Sequence, residues 1–417
     1  MGEDDLQQYR CANTFSDQHV SSVNCVSFES RGNLLASGGD DASLVVFNVE
    51  EGTVHSEYAL PDAVTAICWH NDHSHLFAGL SNGQIHLLST DENATGSPID
   101  TGRHTEITCI LFDDARNFLI YGVGNEVVVV SCEMAHEGIY VEEIVIVSTV
   151  AQALADSQKP LEVRSIHMLN QRQELIISYL DHGICCWNIE GKSSSWFQVW
   201  SLTGRSPRLG RSLVFDDERH LICSNLEDGF DVYNLETREL TRTLPSKIRV
   251  NVALSLAAAG PHAILGSSCG EVMIADVLSG RITQCLHHGP EDVVQAVDCT
   301  PDGRYLATSC AEGGVSFYVK IWAVDLETSI TSHAAGTASE ANQTTDDFDQ
   351  EEIEDSEVAD SESDLDSDID YSQGLLLILM PSIFCFIISI LLQTSDLVDL
   401  ISKLYSLTLS IIEQRFY

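Results

Sequence analysis

The sequence predicts an all-β chain built from seven copies of one small unit, and two observations carry that prediction. The first is a period. Alternating apolar runs end at Phe28, Trp69, Phe112, Met168, Phe215, Leu256 and Cys299, spaced by 41, 43, 56, 47, 41 and 43 residues. The second is the pattern after each run: a turn, a second short apolar run, a small or polar turn, then a third run. Those third runs read LVVFN, IHLLS, VVVVS, ICCWN, DVYN, VMIAD and VKIWA. Short runs of alternating polarity with Gly, Asp and Asn between them indicate strands. A repeat of about 40–45 residues holding several such strands indicates a propeller array. Seven anchors therefore give a seven-bladed β-propeller over residues 9–325.

Each element has its own warrant. YRCANTF (Tyr9–Phe15) is a strand with no blade of its own, and the seventh blade has only three strands before the composition changes, so this segment is expected to close the ring. Closure removes the exposed edge that an open sheet would present. The long interval of 56 is an insertion, CEMAHEGIYVEEIVIVSTVAQALADSQKP, in which Ile139–Val150 reads as a long outer strand and AQALADSQKP as a protruding loop or short helix.

The acidic turn in SGGDDASLVVFN (Ser37–Asn48) carries a resemblance to the WD-repeat family, as do TPDGRYLATS (Thr300–Ser309) and KIWAV (Lys320–Val324). That resemblance covers roughly residues 9–325, with divergent repeats. It implies that His19, Ser37, Asp41 and the residue at position 47 form a buried hydrogen-bonded set. Phe47 stands where the family has Trp and has no indole N–H to donate, so that last link is expected to be missing. Asp181 and Trp187 in SYLDHGICCWN keep the same spacing of six, while Glu227 with Tyr233, and Asn82 with Leu88, occupy those places in two other blades. On this reading the acidic turn is a fold device, not a catalytic group.

The charge narrows the partners. Sixty-three acidic residues against 21 basic give a net charge of −42, which repels phosphate backbones, so no nucleic acid is expected as a partner. The 13 cysteines are scattered without a CxxC pair, and the polar N-terminus reads as no secretory signal, which indicates reduced thiols in a cytosolic core. WHNDHSH (Trp69–His75) has no zinc-ligand spacing and reads as a polar turn. His288 reads as a structural histidine. Cys185 and Cys186 lie in one strand and point to opposite faces. No phosphate loop, nucleophile elbow or paired-histidine metal motif occurs, so neither cofactor, metal nor catalysis is expected.

One segment runs against the acidic background. GRSPRLGRS (Gly204–Ser212) places Arg205, Arg208 and Arg211 between blades 4 and 5, a candidate dock for an acidic or phosphorylated peptide, with Ser206 as a phosphorylation site that would weaken it. After residue 325 the chain changes character. Residues 326–373 read as a disordered acidic linker in which Ser361, Ser363 and Ser367 each precede an acid by three, a pattern for acidophilic kinases. Gly374–Leu392 is an uncharged run of 19 residues, about 28 Å as a helix, enough to cross a hydrocarbon core. Residues 393–417 read as an amphipathic tail. The whole resembles a tail-anchored protein: a cytoplasmic propeller acting as a protein–protein interaction scaffold at a membrane. A soluble substrate receptor and an enzyme on a propeller are the alternatives. The first lacks the family's W-D-x-R signature, and the second lacks convergent acid/base groups.

Overall fold

The computed structural model describes residues 8–324, except 92–93, 97, 136–137, 148–161, 207, 248–251, 253, 290–291 and 312–316. Seven antiparallel sheets occur among these residues. Blade 1 comprises Val23–Phe28, Leu34–Gly39, Ser43–Asn48 and Thr53–Ala59, paired in that order. Blades 3 to 6 repeat the four-strand pattern from Ile107, Val163, Ser212 and Leu256. Blade 2, from Val64, differs at its outer edge, which is divided into Ala94–Thr95 and Ile99–Asp100 against one partner strand. In blade 3 the outer strand is Gly138–Val147, and the expected loop after it lies outside the described residues.

Closure follows the expected route. Val293–Cys299, Tyr305–Ala311 and Phe317–Val324 form three strands of blade 7, and Tyr9–His19 adds the fourth, pairing Tyr9 with Val324 and His19 with Phe317. The closing strand is 11 residues long, four more than the apolar run suggested. Leu256 begins its strand instead of ending it, because the first strand of blade 6 is only Leu256–Ala259. The linker 326–373, the apolar run Gly374–Leu392 and the tail 393–417 lie outside the described residues. Among the described residues, no helix is long and apolar enough to cross a membrane.

Period-two alternation explains the packing. On the third strand of blade 1, Leu44 and Val46 face blade 2, while Val45 and Phe47 face blade 7. Every blade does the same with its neighbours, so seven apolar layers alternate with seven sheets. Cys185 and Cys186 show the rule in adjacent residues: Cys185 packs in the layer toward blade 3, and Cys186 in the layer toward blade 5. In the first three blades, close approach requires a missing side chain on the second strand. A Cβ on Gly38 would meet Val64 at 2.3 Å, one on Gly79 would meet Ile107 at 2.6 Å, and one on Gly122 would meet Val163 at 2.7 Å. The first strand of each blade neighbours the first strands on either side, so the seven first strands ring a central channel. Turns between first and second strands lie at one face of the disc, and turns between second and third strands at the other.

Candidate functional site

The best-formed polar cluster is at the Asp41 turn. Val23–Phe28 and Leu34–Gly39 carry Ser37 to the turn, and the closing strand delivers His19 beside it. His19 Nδ1 lies 3.1 Å from an Asp41 carboxylate oxygen, and His19 Nε2 lies 2.7 Å from Ser37 Oγ. Asp41 also accepts from the backbone N–H groups of Val20 at 2.8 Å and Ser43 at 3.1 Å, and from the Ser43 hydroxyl. Both ionisable side chains are shielded, at 1% and 6% exposure. Burial holds the His19 pKa below the usual histidine value despite Asp41. Burial pushes the Asp41 carboxyl up, but hydrogen bonds from Ser43 and Val20 and the neighbouring His19 outweigh it and leave the pKa lowered. A neutral imidazole facing a carboxylate must donate from Nδ1, so Nε2 accepts the Ser37 proton. Phe47 is fully buried, packs against Phe15 with ring centroids 4.3 Å apart and offers no donor to Ser37.

Blade 7 keeps the link that blade 1 lacks. Trp322 Nε1 donates to the buried Thr308 hydroxyl at 2.8 Å. His288 stacks on Tyr318 and pairs with Asp292 at 3.1 Å, an acid four residues on in place of a turn aspartate. Trp322→Phe would give blade 7 the chemistry of blade 1. It is expected to cost about 1 kcal/mol, read as a shift in the urea midpoint at unchanged slope.

Blade 4 departs from the sequence expectation. Asp181 and Trp187 do not join: Trp187 Nε1 is buried with no hydrogen-bond partner among the described residues, and Asp181 faces Arg208 Nε at 3.6 Å. Blade 5 departs differently. The fully buried Asp231, which spacing did not single out, holds Thr243 Oγ1 at 2.7 Å, Asn225 Nδ2 at 3.1 Å and Arg205 Nε at 3.4 Å. Tyr233 OH accepts the Arg205 backbone N–H at 2.9 Å, and Arg205 also grips Asp228. Glu227 is exposed and only its backbone serves the turn, donating to Asn225. The signal available in the sequence was the aspartate itself, placed inside the apolar strand GFDVYN.

Arg205 and Arg208 are held by Asp228, Asp231 and Asp181, and Arg211 turns into the central channel beside Arg164 and Glu106. The Arg205 and Arg208 side chains remain 38% and 51% exposed. Ser206, the candidate phosphorylation site, is 2% exposed. Ser361, Ser363 and Ser367 lie outside the described residues. In the histidine turn, His70 and His75 both face Asp72, at 3.1 and 2.7 Å, while His73 turns to Ser30. No group of His, Cys, Asp and Glu among the described residues is arranged to hold a metal ion.

The central channel is open at both faces. At the Asp41 face, a mouth of about 270 Å³ is lined by Asn24, Asp40, Thr65, Glu106, Arg164 and Arg211. At the opposite face it flares to about 870 Å³ under the first-to-second-strand turns of blades 2 to 5.

Two family models match this chain. Residues 4–177 match one described as LRRK2 beta propeller, and residues 281–322 match one described as WD domain, G-beta repeat. No curated protein matches it.

Proposed function

We propose that this chain, a seven-bladed propeller of the WD-repeat family, works as a non-catalytic scaffold for other proteins, tethered to the cytosolic face of a membrane. WD-repeat propellers generally bind other proteins. The supporting observation is how the polar side chains are used. His19 with Asp41, Arg205 with Asp228 and Asp231, and His288 with Asp292 each pin a turn to its neighbour. The result is a rigid disc that displays its loops in fixed positions, which lowers the ordering cost of binding.

The tether rests on Gly374–Leu392, long enough as a helix to span a bilayer, set off from the propeller by an acidic spacer without a lysine or arginine. Anchoring would raise the effective concentration of any protein the disc holds at that surface. Alkaline-carbonate extraction of membranes tests this with the full chain and a version stopped after Gln373. The full chain is expected in the pellet and the shortened one in the supernatant. Both in the supernatant would remove the anchor and leave a soluble scaffold.

A further inference from the structure

The wide mouth of the channel, opposite the Asp41 face, is built for a positive charge. Four carboxylates line it, from Asp113, Asp114, Asp216 and Glu218, against one guanidinium, Arg116, which Asp113 already holds at 2.7 Å. Asp114 and Asp216 stand exposed at the rim. Glu218 is buried, at 9% exposure, in a turn where its own φ is +51°. One of its oxygens accepts the Gln171 backbone N–H at 3.1 Å, which ties blade 5 to blade 4. The other, Oε2, is buried and has no hydrogen-bond partner among the described residues. A buried carboxylate oxygen left unpaired is destabilising, and an incoming donor would relieve that. The floor is apolar: Phe112 and Phe215 line the cavity at 9% and 7% exposure. His167 also lines it, and burial lowers its pKa to about 4, so it brings no competing cation at neutral pH.

From this we infer that the mouth receives a lysine or arginine side chain of a partner protein, with its stem against Phe112 and Phe215 and its charge at Glu218 Oε2. An ammonium or guanidinium on a long apolar stem suits a cavity with an acidic rim and an aromatic floor. The net charge of −42 would draw a basic partner in before it docks. The inference rests on the scaffold reading and names the chemistry of one partner for it.

The test measures fluorescence anisotropy of a labelled peptide of alternating arginine and serine, with its citrulline counterpart, against the full chain in non-ionic detergent. The arginine peptide is expected to bind at least about tenfold more tightly than the citrulline one, the loss of about one charge-assisted contact. Asp216→Asn with Glu218→Gln should remove most of that difference, while Asp40→Asn at the other mouth should leave it. Asp216→Asn alone, at the exposed rim, keeps the test readable if Glu218→Gln disturbs folding, and should weaken binding severalfold. Equal binding of the two peptides, no binding, or binding that survives the mouth substitutions would overturn the site. Each of those outcomes leaves the scaffold reading intact, since that reading falls only if the full chain holds no protein on any surface.

Discussion

Asp41→Ala is expected to destabilise the propeller by roughly 3 kcal/mol, because it strips partners from several shielded donors at once. His19 Nδ1, the backbone N–H groups of Val20 and Ser43, and the Ser43 hydroxyl all lose their acceptor. Blade 1 has no tryptophan link to share the load, since Phe47 replaces it. The damage also reaches the ring closure, for His19 ends the strand that pairs with Phe317–Val324. Urea unfolding should show a lower midpoint, and limited proteolysis should cut near Val20 sooner than in the parent chain. Asp41→Asn keeps one acceptor oxygen and should recover more than half of the loss. A midpoint unchanged in Asp41→Ala would show that the turn holds without its carboxylate.

The second large effect is on acid stability and centres on His167. Its Nε2 sits 3.1 Å from Ser212 Oγ, and burial lowers its pKa to about 4 from the usual 6.5. Between those values the unfolded chain binds a proton that the folded chain does not. Stability is therefore lost as pH falls from about 6.5 toward 4, by roughly 2–3 kcal/mol at the lower end. Burial lowers the pKa of His19, His86 and His288 as well, in the same direction. Asp298 opposes them: burial raises its pKa to about 6, so it contributes stability in acid that is lost as pH rises through 6. Unfolding at pH 7 and pH 4.5 separates the two. His167→Gln should lose less stability on acidification than the parent by about 2 kcal/mol, and Asp298→Asn should lose more. Parallel pH profiles for the parent and His167→Gln would mean that His167 takes up its proton in the fold.

The blades were legible because alternation is a local property: Leu44 to Phe47 reveal their two faces in four consecutive residues. Blade 2's divided outer edge and the late start at Leu256 were not, since outer and Ala-rich strands bury too little to leave a clear alternation. Sequence order did not show that Arg205, Arg208 and Arg211, close along the chain, lie beside different acids. It hid the wide channel mouth for the opposite reason. Asp113, at the end of a strand, and Glu218, in a turn, lie two blades apart, and each looks alone like an ordinary acid at a strand end or turn. Only the circular arrangement of the blades brings them to one opening.

The closing strand also fixes an order of events during synthesis. Tyr9–His19 is made before every other strand of the propeller, yet its partner Phe317–Val324 comes some three hundred residues later. At a ribosomal rate of about 5–20 residues per second, the strand waits roughly 15–60 s with its backbone unpaired. Blades 1 to 6 each hold all their strands in one contiguous stretch and are free to form in sequence as they emerge. Blade 7 alone needs both ends of the domain. The growing propeller is thus an incomplete arc with an exposed edge at each end, and the last of its own strands to leave the ribosome turns that arc into a disc.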